Sequence, residues 1–294
     1  MMTVICKILL LLLASVFDTC HSSTISNADR QVLQKFWCYA QTNNLKDKEM
    51  GERISLIARF FLDTPYKSNT LNTTDGEKLV INLRELDCVT FVDNVLALAF
   101  LSEYTSSSEG VFHKNLQIIR YRGGVIEDFT SRLHYSSDWL YEMQQNRLLE
   151  DITADLGGVK YTKEINFMSA HYELYPALKN NPQFLKKIKS IEDSINQRMY
   201  YYIPKSEVDK IYSKIKIGDI ILITTSIAGI DTSHLGIAIM YNGAIHLLHA
   251  SSEYKKVMIS QAPLKEYMEN IRTQTGIMLG RVTFNVAQDL FEKR

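Results

Sequence analysis

The sequence predicts an α+β fold, a helical N-terminal half packed on a C-terminal antiparallel sheet. Three observations predict it. Apolar residues recur at helical spacing through the first two thirds of the chain. Short β-rich runs take over after Pro204. Between two of those runs stands Asn242-Gly243, the sharpest hairpin signal present.

Ser26 and Asn27 can cap a first helix, whose stripe is Val32, Leu33, Phe36, Trp37 and Tyr39. A second helix is predicted from Lys46 to Leu62, ending at Asp63-Thr64-Pro65 because proline restricts the residue before it. Leu79 to Leu83 is apolar and ambiguous. From Asp87 a helical pattern runs through Phe91, Val92, Val95, Leu96, Leu98 and Ala99. The middle is read as helices broken at Gly123-Gly124 and Gly157-Gly158, with a long helix from Pro182 to Tyr202. Strands are predicted at Asp219–Thr224, Leu235–Tyr241, Ala244–Ala250, Val257–Ile259 and Leu279–Phe284, with a short helix from Pro263 to Ile271. No repeat or linker divides the chain. The expectation is one domain over 24–294, with helical insertions around 105–205.

Residues 1–23 read as a secretory signal peptide: Lys7, an apolar run from Ile8 to Phe17, then small polar residues. The run falls short of the roughly 20 residues needed to span a bilayer. The protein is therefore expected to be exported, to the periplasm or cell envelope. Lipid anchoring through Cys20 is an alternative that the lead-in Phe17-Asp18-Thr19 suits poorly. Cys6 and Cys20 fall in the leader, so the mature chain keeps Cys38 and Cys88. Two cysteines make no disulfide framework for a domain of this size. Cys38 is read as a buried thiol beside Trp37 and Tyr39, the alternative being a disulfide to Cys88. With 33 basic and 33 acidic residues, the chain lacks the basic excess of a general nucleic-acid binder. No CxxC suggests a metal site. The expectation is a monomer without a stable protein partner.

Cys88 opens the helix that follows Asp87. A helix N-terminus offers free N–H groups and a positive dipole end, which favour thiolate. A small buried core cysteine is the competing reading. His234 opens one strand of the Asn-Gly hairpin and His249 closes the other, so the two imidazoles are expected to meet across the ladder. That is the arrangement of a base and the group that orients it. His246, three residues from His249, points to the other sheet face and is read as structural.

These residues resemble a known family. Asp87-Cys88 at a helix start, Lys216-Ile217-Gly218-Asp219, His234-Leu235-Gly236-Ile237-Ala238, Tyr241-Asn242-Gly243 and Leu248-His249-Ala250-Ser251 are similar to the NlpC-type papain-like cell-wall hydrolases. Thr64-Pro65-Tyr66, Leu86 through Val92 and Ser131-Arg132-Leu133-His134-Tyr135 resemble one branch, the N-acetylmuramoyl-L-alanine amidases once filed as a domain of unknown function. The resemblance runs from about Phe60 to Phe284. It implies a papain-like fold and a Cys-His-His triad that cuts the amide between N-acetylmuramic acid and L-alanine. Cys88 would be the nucleophile, His234 the base and His249 its orienting partner. Tyr66 would help the Cys88 N–H hold the oxyanion. No metal or cofactor is required, and the partner is a soluble muropeptide fragment.

Peptide-cutting members usually follow Asp-Cys with Ser-Gly; here Val89-Thr90 follows. That weakens the alternative of a γ-D-glutamyl stem-peptide endopeptidase. Asp87, Arg132, His134 and Ser233 are the expected substrate-binding residues. Arg132 would clamp a stem-peptide carboxylate, or else pair structurally with Asp128 or Glu127. Asp87 has a competing role as helix cap. Trp139 and Tyr121 are candidates to stack on sugar, with a core role as the competing reading. Two other functions stay open: a non-catalytic muropeptide-binding module, which the intact Cys-His-His set argues against, and an acyltransferase, for which no apolar channel segment is visible.

Overall fold

The structure is a computed structural model that describes residues 25–73 and 76–282. The expected signal peptide, Cys20 and the end of the predicted last strand at Phe284 lie outside the described residues.

Helices α1 (Asn27–Thr42), α2 (Met50–Phe60), α3 (Cys88–Ala99), α4 (Glu109–Arg120) and α5 (Ser136–Gln145) build the N-terminal half. The short strands β1 (Glu150–Asp151) and β2 (Val159–Tyr161) follow. The small helices α6 (Phe167–Ala170) and α7 (Pro176–Lys179) lead into α8 (Pro182–Asn196). The rest is β3 (Tyr200–Pro204), β4 (Ile220–Thr225), β5 (Thr232–Tyr241), β6 (Ala244–Ser251), β7 (Lys256–Ile259), α9 (Leu264–Glu269) and β8 (Gln274–Arg281). The strands form one antiparallel sheet in the order β2-β3-β8-β4-β5-β6-β7, with β1 beside β8. The α+β expectation stands: helices first, sheet second.

Alternation along the strands gives the sheet two apolar faces. Leu222, Leu235, Ile237, Leu248 and Met278 face the core that holds α3, which is buried from Thr90 to Ala99. Ile221, Ile223, Ala238, Leu247 and Ile277 face a second core, closed by Val208, Ile211, Leu264 and Met268. A helix buried all round needs an apolar sequence all round, which is what α3 has.

Two predicted helices are shorter than expected. The one from Lys46 to Leu62 is split: a 3-10 turn covers Leu45–Asp47, Lys48 is extended, and α2 starts at Met50. The buried Arg53 guanidinium donates to the carbonyls of Leu45 at 2.9 Å and Lys46 at 2.7 Å, acceptors that a continuous helix would keep for itself. The long helix stops at Asn196 instead of Tyr202. The β-prone run Tyr200 to Ile203 pairs with β2 and β8. Strands β1 and β2 are too short to show a period and were not predicted.

Candidate active site

Cys88 is the first residue of α3, and Asp87 is its cap. The Asp87 carboxylate accepts from the Thr90 N–H at 2.8 Å, while the Thr90 hydroxyl oxygen accepts from the Asp87 N–H at 2.9 Å. This reciprocal box fixes the chain entering the helix. The thiol is not activated as the sequence suggests. Burial, and then the Asp87 carboxylate, push it up to about 12, against the pull of the Leu235, Val89 and Cys88 N–H groups. Desolvation of a charge outweighs the helix end here.

The Asn242-Gly243 turn has positive φ at both residues, 48° and 80°, the conformation of a tight twisted hairpin. It sets β5 and β6 in the register Ile237↔Leu248. One step further along, His249 faces Gly236, two residues from His234 and on the same face. The outcome is a hydrogen bond of 2.6 Å between His234 Nε2 and His249 Nδ1, with the rings at 89° and 4.8 Å between centroids. Gly236 leaves room for the neighbouring strand β6. A Cβ there would lie 2.6 Å from the Leu247 side chain and 2.9 Å from the Leu248 carbonyl. Burial lowers His234 to about 4. Burial and then His234 lower His249 to about 3. Both are neutral at pH 7. His246 lies on the other face as expected, its Nδ1–H donating to the Ser260 carbonyl at 2.8 Å.

Tyr66 sits on a strap held against the entry to α3. Its N–H donates to the Lys255 carbonyl at 2.8 Å, and the Leu86 N–H donates to the Pro65 carbonyl at 2.9 Å. The phenol is raised by burial first and then by the neighbouring Cys88 and Asp87. Tyr66, Asp87 and Cys88 are therefore together. Tyr267 of α9 was not singled out by the sequence. Its ring packs on both imidazoles, with centroids 5.3 Å from His249 and 6.5 Å from His234.

A cavity of about 170 Å³ opens beside the cysteine, bordered by Asp87, Val89 and Leu235 and walled by His134 and Trp139. His134 donates through Nε2–H to the Phe129 carbonyl at 2.7 Å, and burial lowers it to about 3. The Trp139 indole N–H is buried without a partner. Arg132 reaches this wall, but its fork is occupied. Its Nε and one terminal nitrogen donate to Glu77 at 2.9 and 2.6 Å. That edge of the guanidinium is held by a structural pair, while Arg132 still lines the cavity. Its partner is neither Asp128, which pairs with Lys187, nor Glu127. Tyr121 is a core residue whose hydroxyl also donates to Glu77, at 2.7 Å, which removes it as a sugar-stacking face. Ser233 is exposed immediately before His234. Cys38 and Cys88 are both free, and Cys38 is exposed instead of buried. Among the described residues, no cluster of three or more His, Cys, Asp or Glu is placed to hold a metal ion. No described helix is long and apolar enough to cross a membrane.

The α+β scaffold and its matches place the chain among amidase-like hydrolases. The family model described as AmiA-like, N-acetylmuramoyl-L-alanine amidase-like matches residues 56–277, and the chain belongs to that family. Solved structures agree. An N-acetylmuramoyl-L-alanine amidase from Bacteroides uniformis is 38% identical, with 80% of this chain and 100% of that chain covered and a TM-score of 0.77. A protein from Bacteroides fragilis, named a putative xylanase, is 42% identical, with 77% and 99% covered and a TM-score of 0.73. A Legionella pneumophila protein of family DUF1460 shares the fold at 23% identity, with 87% and 94% covered and a TM-score of 0.63. No curated protein matches.

Proposed function

We propose that the protein hydrolyses peptidoglycan fragments at the amide between N-acetylmuramic acid and the L-alanine of the stem peptide, on a papain-like scaffold of the NlpC type. One observation carries the reading: the 2.6 Å His234–His249 bond, on the strand whose Leu235 N–H points at the Cys88 sulfur.

A single proton lies in that bond. Held on His234 Nε2, it leaves a lone pair on His234 Nδ1, the tautomer a base needs. Cys88 then attacks the lactyl carbonyl carbon as its proton moves to His234 Nδ1. The oxyanion takes hydrogen bonds from the Cys88 N–H and the Tyr66 hydroxyl. The imidazolium gives its proton to the alanine nitrogen, the C–N bond breaks, and the muramoyl group stays as a thioester. Water, deprotonated by His234, releases it and restores the thiol. His249 accepts from His234 Nε2–H throughout and adds orientation without adding charge. Asp87 and His134 border the cleft where substrate lies, Ser233 stands exposed beside the base, and Arg132 shapes the wall through Glu77.

The name of the Bacteroides fragilis neighbour raises glycoside hydrolysis, which relies on two facing carboxylates. Beside Cys88, Asp87 caps α3, and Asp93 is buried in an ion pair with Arg120 at 2.9 Å. The amidase reading is favoured.

The test is incubation of the protein and its Cys88→Ala variant with a disaccharide muropeptide, followed by mass spectrometry. Intact stem peptide with a free alanine amine, from wild type only, is expected. Cleavage inside the stem would indicate the endopeptidase, and binding without turnover a recognition module. The proposed setting is the periplasm or envelope, reached through the leader. N-terminal sequencing of the protein recovered from the producing cell tests it.

A further inference from the structure

The histidine pair poses a problem that the triad alone does not solve. A bond between two neutral imidazoles is weak against water, which can supply either ring with a better partner. Among the described residues, no carboxylate bonds to either ring. Something else must keep the bond dry and the rings crossed.

α9 supplies a candidate. Leu264, Tyr267 and Met268 stand at i, i+3 and i+4, so they share one helical face. Leu264 and Met268 are fully buried in the second core and fasten that face to the sheet. The helix start is tied down by the Lys265 N–H, which donates to the Tyr212 hydroxyl at 2.7 Å. Tyr267 is thereby aimed at the sheet surface where β5 and β6 carry the two histidines. Its ring stands 68° to His249 at 5.3 Å and 37° to His234 at 6.5 Å. Its phenol oxygen lies within electrostatic reach of Cys88 and beside the buried Gln274 side chain.

We propose that Tyr267 is a positioning residue: its ring closes over the His234–His249 bond, holds the two imidazoles crossed and keeps water from that bond. The inference rests on the reading of Cys88, His234 and His249 as the reacting set. The ring face does this work, so phenylalanine should replace tyrosine and alanine should not. The polar group that packs on the pair is Tyr267 from α9, and Gln274, Cys88 and Glu253 act on Tyr267 in turn. Burial is the first cause lowering both histidines, so uncovering them should raise both.

The experiment is a pH titration of the histidine Cε1–H resonances in wild type, Tyr267→Phe and Tyr267→Ala. It is paired with the pH dependence of Cys88 alkylation by iodoacetamide. Neither readout needs a muropeptide, so a wrong substrate assignment leaves both intact. In wild type and Tyr267→Phe, two imidazoles should titrate near 4 and 3. In Tyr267→Ala both should move toward 6.5, while Cys88 alkylation keeps its rise above pH 9 because the thiol itself stays covered. Where a muropeptide is turned over, kcat should fall about tenfold or more in Tyr267→Ala with KM little changed, within the range a misplaced base produces. Unshifted histidines in a folded Tyr267→Ala would overturn the proposal. So would a Tyr267→Phe that behaves like the alanine variant, because the hydroxyl would then be the active part. If the alanine variant does not fold, Tyr267→Leu carries the same comparison.

Discussion

Burial holds the Cys88 thiol near 12 and the His234 imidazole near 4, so at pH 7 neither carries a charge. The cysteine must lose its proton during attack, and its reactivity reports the surroundings directly. Alkylation of Cys88 by iodoacetamide should be slow at pH 7 and still be rising above pH 9. Asp87→Asn separates two roles of one residue. The amide keeps a cap but removes the carboxylate charge that raises the thiol. The expected result is faster alkylation with the unfolding temperature nearly unchanged. His234→Ala should cost about 10²- to 10⁴-fold in kcat. His249→Asn, which keeps an acceptor, should retain more activity than His249→Ala. The meeting of His234 with His249, and of Tyr66 with Cys88, was legible because each residue stands at a marked place: a capped helix start, the two strand ends of an Asn-Gly hairpin, or a proline strap. The charge state of Cys88 was not, since a helix N-terminus is visible in sequence and depth of burial is not. The partner of Arg132 was hidden too. Glu77 is 55 residues away in a segment without periodicity. Removing it by Glu77→Ala strands a buried guanidinium. That should cost about 3–5 kcal/mol in denaturant unfolding.

At the scale of elements, the capping box of α3 and the β5–β6 turn position the reacting groups. Thr90→Ala removes one half of the box and should cost about 1 kcal/mol, measured by thermal unfolding. Gly243 has φ at 80°, where a side chain is disfavoured by about 1–2 kcal/mol. Gly243→Ala should therefore destabilise the hairpin and lower kcat together, because the same turn sets the register of the histidines. The strands of this region were readable since their alternation and their turn agree. Helix ends were less so. α2 begins only after the carbonyls that Arg53 takes from the turn before it, and α8 ends where the tyrosine run of β3 pairs with a strand far along the chain.

For the whole molecule, part of the acid response follows from three histidines that burial lowers. His134, His234 and His249 sit near 3, 4 and 3, below their ordinary 6.5. The unfolded chain takes up these protons near 6.5 and the folded one only near 3 to 4. Their contribution is thus complete above pH 6.5 and is lost as pH falls toward 3. Asp93 and Asp231, raised by burial, work in the opposite direction at the acid end. His134→Asn removes one histidine from the balance, so its unfolding temperature should drop less than that of wild type between pH 7 and 4.5. The α+β layering was legible from pattern alone, since helices and strands occupy separate stretches of the chain. The contact of Tyr267 with the histidines was not, because it arises only when α9 docks on the sheet.

The two thiols of the described region also differ in a practical sense. Cys38 stands exposed on α1, whereas Cys88 is half-buried and burial pushes its thiol up. Oxidants and electrophiles act on thiolate that solvent can reach. Peroxide or a limiting amount of maleimide should therefore modify Cys38 first and leave catalysis running. The outer cysteine becomes a natural attachment point for a fluorophore, and the inner one a durable reagent in oxidising surroundings.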